Sequence, residues 1–215
     1  MWQALAQRAL RSPLAKPVVW VLWLLPLAWL LIAAFTDRLG PNPAEALIRA
    51  TGDWALRALW LALTVTPVRV LLGLSALARL RRLLGLFAFF YAALHLLSYL
   101  WLDMGWSARE VLADTLQRPF ILVGMLTLLG LAALAATSPG ICARALGARR
   151  WKQLHRLVYV LALLALLHFY WMRTGKNDTA EVGVYAALLA LLLGVRGFMA
   201  LRQRKLHEKG LQGPA

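Results

Sequence analysis

Three of the four histidines in this sequence fall within or at the ends of strongly apolar stretches, namely His95, His155 and His168. An ionisable side chain at membrane depth is costly, and it usually faces the interior of a helix bundle, where it pairs with another group or binds a ligand. Imidazole is also a common axial ligand of haem iron. These histidines therefore indicate haem ligation, or else hydrogen bonding between helices. The fourth, His207, lies in a polar, basic tail and is expected to be a solvated surface residue.

The depths of these histidines in the membrane indicate which two can share one haem. With Arg82 and Trp151 taken as the inner boundary, His95 lies 13 residues deep, His155 four and His168 seventeen. At 1.5 Å per residue, His95 and His168 differ in depth by about 6 Å, whereas His95 and His155 differ by about 13 Å. We therefore predict His95 and His168 as the axial pair of one haem. His155, roughly 20 Å below His168, is expected to serve a second haem or another inner cofactor, or to be a packing residue.

The predicted helix that carries His155 and His168 poses a problem of orientation. Thirteen residues separate the two, so an ideal helix places them about 140° apart. They face the same interior only if the helix is overtwisted or carries a π-bulge. Two arginines inside predicted helices, Arg57 and Arg156, are candidate partners of haem propionates or of a flavin phosphate. The alternative is that both extend to the membrane interface.

The composition requires that these residues be held by membrane-spanning helices. Of the 215 residues, 61% are hydrophobic, and the mean hydropathy is +0.66. A helix needs about 20 apolar residues to cross a hydrocarbon core of about 30 Å. Pro67 is expected to end or kink the second helix, which is long enough only if it continues towards Gly73. We predict six spans: Val18–Phe35, Trp54–Val68, Leu83–Leu102, Pro119–Ala136, Leu154–Met172 and Val182–Ala200.

Lysine and arginine residues are distributed unequally between the two sides of this predicted bundle. Sixteen share a side with both termini, and six share the other side with every acidic residue except Glu208. Basic residues in short loops favour the cytoplasm. We therefore predict an all-α membrane protein, a bundle of six transmembrane helices with both termini in the cytoplasm (N-in/C-in). Basic patches such as Arg79–Arg82 and Arg202–Lys205 are then anchors to anionic membrane lipids, and the net charge of +15 does not indicate nucleic-acid binding.

The predicted organisation leaves no room for a separate catalytic domain. Residues 1–17 form a cytoplasmic N-terminal segment, 18–200 the transmembrane domain and 201–215 a cytoplasmic basic tail. The single cysteine, Cys142, excludes an intramolecular disulfide. There is no CxxCH motif for covalent haem attachment, and there is no GxGxxG or Walker loop for a nucleotide. Any chemistry is therefore expected inside the bundle or on a partner protein.

Several segments together resemble the MsrQ family, whose members belong to the ferric-reductase-like transmembrane superfamily with the membrane domains of NADPH oxidases. The resemblance covers nearly the whole chain beyond the first span. It rests on the segments Thr51–Leu56 (TGDWAL), Val65–Arg69 (VTPVR), Arg81–Leu86 (RRLLGL) continuing through Tyr91 to His95, Arg118–Ile121 (RPFI), Ala136–Ser138 (ATS) and Trp151–Tyr159 (WKQLHRLVY).

The resemblance implies a b-type cytochrome of the bacterial inner membrane. Such a protein passes electrons to an MsrP-like periplasmic molybdenum enzyme, which repairs oxidised proteins by reducing methionine sulfoxide. His95, His155 and His168 match the haem-associated histidines of the family, and family members are also described as binding FMN. NADPH oxidases carry two histidines on the third helix, and Arg81 stands where the inner one is expected. The resemblance is therefore compatible with one haem b or with two.

The mechanism that we expect is electron transfer without bond-making on this chain. Electrons would come from a cytoplasmic flavin reductase, a flavin or a quinol of the quinone pool, and would leave to a protein outside. One alternative is a haem-free transporter or assembly factor in which the histidines form a proton relay. The other is a stand-alone ferric or oxygen reductase, which is disfavoured because no nucleotide-binding domain is fused to the bundle.

Overall fold

The computed structural model describes the backbone of residues 1–174 and 179–211, and the side chains of residues 1–174 and 179–202. Lys176, Asp178 and the tail side chains of His207 and Glu208 therefore lie outside the described part. The helices, apart from a 3₁₀ turn at Ser75–Leu77, are α1 (Trp2–Arg11), α2 (Ala15–Phe35), α3 (Pro43–Leu71), α4 (Ala78–Leu102), α5 (Ala108–Gln117), α6 (Pro119–Ala136), α7 (Gly140–Leu146), α8 (Ala148–His155), α9 (Leu157–Thr174) and α10 (Ala180–Leu211).

The predicted fold class is confirmed, since the described residues contain six helical segments long and apolar enough to cross a membrane and no β-strand. The second segment differs most from its prediction. It begins at Pro43, where the Asn42 side chain caps the helix by accepting a hydrogen bond from the backbone of Glu45. It does not end at Pro67 but continues to Leu71. The charged residues in its first turns hid this start, because they lower the local hydropathy.

Adjacent spans are antiparallel, so the helix ends form two groups. The acidic end of the bundle comprises the start of α3, the end of α4, α5, the start of α6, the end of α9 and the start of α10. The basic end comprises α1, the turn between α3 and α4, α7 and α8. Which end faces the cytoplasm stays a prediction from the charge distribution.

Two helix pairs form the framework of the bundle, since α3 packs closely against α4 and α6 packs closely against α9. An aromatic cluster fixes the first pair against α2. Trp23 of α2 stacks on Phe87 and meets Trp54 edge to face, and the buried Tyr91 hydroxyl donates a hydrogen bond to the Trp23 carbonyl. Such aromatic contacts add to the burial of large apolar surfaces. They attach α4, which carries His95, to α2 and α3.

Within the N-terminal segment, residues Trp2–Arg11 form the amphipathic helix α1, for which no helix was predicted. Its Gln7 side chain donates to the Gly73 carbonyl and accepts from the Ala76 backbone. Arg79 at the start of α4 donates to the carbonyl of Arg11. These contacts tie α1 to the turn between α3 and α4 at the basic end.

Candidate haem site

The structure brings together the two histidines that the depth comparison pairs. His95 of α4 and His168 of α9 have ring centroids 6.1 Å apart, with ring planes at 78° to each other. An imidazole nitrogen binds a metal ion at about 2 Å, so the centroids of two imidazoles on opposite sides of one ion lie roughly 6 Å apart. The observed separation therefore fits the axial ligands of a single metal ion.

His95 is held by α3, the partner of its own helix. The Nδ1 atom of His95 lies 2.7 Å from the carbonyl oxygen of Ile48. A carbonyl can only accept a hydrogen bond, so Nδ1 carries the proton and Nε2 presents its lone pair. Gly52, one turn further along α3, lies against the same ring, and a Cβ atom there would come within 3.1 Å of Nδ1.

His168 is held by α6 in the same way. Its Nδ1 donates to the carbonyl of Phe120 at 2.7 Å, and Gly124 lies four residues further along the helix. A Cβ atom at Gly124 would come within 2.8 Å of the Cε1 atom of the ring. Each imidazole thus packs against a neighbouring helix, between a backbone carbonyl and a glycine of that helix. Fixing Nδ1 in this way orients an imidazole for metal binding through Nε2 and makes it more basic.

Both histidines and both glycines line a cavity of about 380 Å³ between the two helix pairs. This volume lies within the range of about 300–1,000 Å³ that is typical of sites for small molecules and cofactors. Apolar side chains such as Leu59, Leu128 and Leu131 line much of it. Two neutral imidazoles, a space from which glycine excludes side chains, and apolar walls fit a haem.

The cavity becomes polar towards the acidic end of the bundle, where ion pairs surround its mouth. Arg118 pairs with Asp114 at 3.0 Å, and Asp114 also accepts a hydrogen bond from Tyr99 at 2.8 Å. Asp103 lies beside them at the surface. Partial burial raises the pKa of Asp103, and the negative charge of Asp114 raises it further.

A buried arginine joins three helices near the same end. Arg173 of α9, whose surface is 8% exposed, pairs with Glu181 of α10 at 2.8 Å and lies 4.0 Å from Asp53 of α3. Its guanidinium group also lies over the ring of Phe169. A buried charge is tolerated when it is paired in this way, and the network fixes the end of the helix that carries His168.

The profile of the ferric reductase like transmembrane component family matches residues 51–166. A protein of Polaromonas naphthalenivorans named protein-methionine-sulfoxide reductase heme-binding subunit MsrQ is 56% identical over 91% of this chain and 89% of its own length. The chain belongs to the MsrQ family. Proteins of the same name from Ralstonia nicotianae and Rhodospirillum rubrum are 46% and 45% identical, over 89% and 91% of this chain and 88% and 93% of their own lengths.

Family membership confirms the resemblance deduced from the motifs, and the matched region contains His95 and His155 but ends two residues before His168. His155 lies apart from the cavity, at the end of α8. Its ring stacks on Trp151 with centroids 4.0 Å apart, and its Nδ1 lies 3.1 Å from the Trp151 carbonyl. The structure thus separates His155 from the other pair, and the cofactor role of His155 stays a prediction.

The helix of this MsrQ-family chain is interrupted between His155 and His168, the segment where a change of phase is needed if the two side chains are to face one interior. Arg156 lies in a turn between α8 and α9. Its N–H donates to the carbonyl of Gln153, and its own carbonyl accepts from Tyr159, each at 3.1 Å. Both hydrogen bonds span three residues, so the chain is wound more tightly here than an α-helix. The chain is therefore overtwisted at this point, and the residues between the two histidines contain no π-helix.

Neither arginine proposed from the sequence lines the cavity. Arg57 lies over the ring of Trp54, 4.7 Å from its centroid, in a separate groove between α2 and α3 that it shares with Asp53. Arg156 is exposed at the helix interruption. Their roles as propionate or phosphate partners stay predictions, and the position of each gives no support to a propionate contact.

Sequence reasoning missed the residues that hold the imidazoles. The backbone carbonyls of Ile48 and Phe120 carry no sequence signal, because any residue supplies a carbonyl. Gly124 did carry a signal, since it lies inside the apolar span Pro119–Ala136 without a turn nearby, whereas Gly52 precedes the predicted span Trp54–Val68. A glycine inside a helix costs about 1 kcal/mol relative to alanine, but Gly85 in α4 carries the same cost with no atom within 4 Å of a built Cβ. The signal alone therefore does not identify a close contact.

Proposed function

We propose that this MsrQ-family chain is a b-type cytochrome of the bacterial inner membrane, with His95 and His168 as the axial ligands of one haem b. The observation that carries the proposal is the separation of the two rings, 6.1 Å between centroids, across a cavity between two helix pairs. The names of its relatives, heme-binding subunits of a protein-methionine-sulfoxide reductase, support it.

The chain contributes binding, orientation and exclusion of water. The imidazoles supply two nitrogens, and the carbonyls of Ile48 and Phe120 keep both rings in the tautomer that offers Nε2. Apolar walls keep water from the site, which together with the axial ligands sets the reduction potential. A haem bound there supplies one-electron transfer, and no substrate chemistry is required of this chain.

The direction of electron flow follows from the predicted topology. We place the basic end in the cytoplasm and the acidic end in the periplasm. Electrons then come from a flavin reductase, a flavin or a quinol. They leave at the acidic end to a molybdenum-containing subunit that reduces methionine sulfoxide. The exposed tryptophans Trp101 and Trp106 beside Asp103 and Glu110 offer a contact surface for this partner.

We propose that His155 serves the passage of electrons from the cytoplasmic side, at a second haem or at FMN. Its place at the basic end, outside the His95 and His168 cavity, supports a separate role. This proposal is tested by quantifying haem and flavin per chain in one preparation, which gives the occupancy of both cofactors.

A reduced-minus-oxidised absorption spectrum of the purified, haem-supplied protein tests the function. We expect b-type bands with a low-spin signature in the wild type, because two imidazoles give a strong axial field. His95→Ala and His168→Ala should both lose that signature, and His155→Ala should keep it. Ala retains helix propensity while it removes the ring, and His207→Ala in the tail is the matched control.

The pattern across the four variants decides the outcome. Absence of b-type bands from a folded wild-type preparation would refute the cytochrome. If His95→Ala and His155→Ala abolished the same haem while His168→Ala kept it low-spin, the axial pair would be wrong. Size-exclusion profiles separate loss of ligation from misfolding.

A further inference from the structure

The haem cavity has polar groups at the acidic end of the bundle. Its acidic and phenolic lining residues lie in the first turns of α3, at the end of α4 or in the loop after it: Glu45, Asp53, Tyr99 and Asp103. The walls nearer the middle of the membrane are mostly apolar and include Leu59, Leu128 and Leu131. A haem carries two propionate carboxylates on one edge, and an ionised carboxylate is costly in apolar surroundings. That edge therefore belongs at the acidic end.

Besides the two histidines, the basic side chains among the described residues that line this cavity are Arg49 and Arg118. They occupy related places on the two helices that hold the imidazoles. Arg49 directly follows Ile48, whose carbonyl binds His95. Arg118 lies two residues before Phe120, whose carbonyl binds His168. Each imidazole thus has a guanidinium group nearby along its supporting helix, on the side of the cavity where carboxylates must emerge.

We propose that Arg49 and Arg118 bind the two propionates of the haem held between His95 and His168. This inference rests on the proposed function and assigns the cofactor's carboxylates to residues that lie outside the set predicted from the sequence. Arginine suits the role because its planar group binds a carboxylate through two parallel hydrogen bonds and stays charged.

The ion pairs that both arginines already make are compatible with this role. Arg49 binds Glu45 through Nε at 2.8 Å, and Arg118 binds Asp114 through Nε at 3.0 Å. Each contact uses one of the five N–H donors of a guanidinium group, which leaves the terminal nitrogens for a second carboxylate. Glu45 and Asp114 therefore orient the two guanidinium groups and leave their other N–H donors available for a propionate.

Other cations near the site are less suitable. Arg57 lies in the separate groove between α2 and α3. Arg173, which binds Glu181, is not among the residues that line the cavity. The mouth of the cavity already holds several carboxylates, so two propionates without added cations would face repulsion. Arg49 and Arg118 are the side chains that offset it.

The test compares haem b with haem dimethyl ester, in which both propionates are neutral. Full-length wild type, Arg49→Gln, Arg118→Gln and the double variant are loaded with each haem, and its transfer to apomyoglobin is timed. Arg109→Gln, exposed on α5, is the matched control. We expect each single substitution to speed the loss of haem b roughly tenfold, as a charged hydrogen bond is worth about that factor.

The same substitutions should leave the loss of the dimethyl ester unchanged, because its propionates no longer attract a cation. The midpoint potential with haem b should fall in both single variants, since removal of a nearby positive charge disfavours the reduced state. Equal acceleration with both haems would overturn the inference, because the arginines would then act on the fold. Unchanged loss of haem b would overturn it too. A wild type that binds no haem would instead refute the proposed function.

Discussion

Replacement of Gly124 by alanine is the most direct test of how His168 is held. The new Cβ atom would lie 2.8 Å from Cε1 and 2.9 Å from Nδ1 of the His168 ring. Ordinary contacts of a Cβ atom begin at 3.4 Å, so the ring or the helix must shift by about 0.6 Å. The neighbouring atoms belong to an imidazole whose position is fixed by a hydrogen bond, which restricts the ways in which the contact can relax.

That shift is large in relation to the site. It can lengthen the 2.7 Å hydrogen bond from His168 to the Phe120 carbonyl beyond about 3.2 Å. Metal sites that lose such an orienting partner typically lose about 10- to 100-fold in affinity. We expect Gly124→Ala to lower haem affinity by a factor in this range and to convert part of the haem to a high-spin form.

Replacement of two further glycines by alanine shows how the loss of haem depends on the distance between the new Cβ atom and its neighbours. A Cβ atom at Gly52 would lie 3.1 Å from His95 Nδ1, so that Gly52→Ala should have a smaller effect than Gly124→Ala. Gly85 in α4 has no atom within 4 Å of a built Cβ. Gly85→Ala is therefore the matched control, and its better helix propensity should raise thermal stability slightly.

The assay is haem titration of purified protein with absorption spectra at each step, together with thermal unfolding in the same detergent. A full low-spin spectrum and wild-type affinity in Gly124→Ala would refute the reasoning that the glycine leaves room for the imidazole. Equal loss of haem in Gly85→Ala would also refute it, because the effect would then be a general one of glycine replacement.

Three other predictions follow from the charges of the chain. A reporter fused after Ala215 should read as cytoplasmic, and a periplasmic reading would overturn the helix count or the orientation. Electron delivery to the partner should slow with salt and with joint neutralisation of Asp103 and Glu110; Asp114 is omitted because its carboxylate binds Tyr99 and Arg118. Indifference to both changes would exclude an electrostatic contact surface. Since the pKa of Asp103 is raised in the folded state, its charge opposes folding above that pKa. Asp103→Asn should therefore raise the melting temperature at neutral pH, and the gain should disappear below the ordinary value of 3.8; a gain that persists there would contradict the electrostatic explanation.

The sequence by itself determined the six membrane-spanning segments and pointed to the two histidines whose rings lie 6.1 Å apart. Pro119–Ala136 was predicted with both of its ends, because the run between Arg118 and Thr137 contains no charged residue and is strongly apolar. His95 and His168 could be paired because depth in a membrane is a nearly linear count of residues along antiparallel or parallel helices. These properties are local, and so they can be read one helix at a time.

The tertiary structure decided everything that depends on which helix faces which. The carbonyls of Ile48 and Phe120 bind imidazoles only because α3 and α6 lie beside the helices of His95 and His168. The side of α3 that packs against α2 carries Arg57, which therefore lines a separate groove, although its place in the sequence suits a propionate partner equally well. Such contacts join residues that are 47 and 48 positions apart, and they are set by side-chain packing between helices, which hydropathy and spacing do not encode.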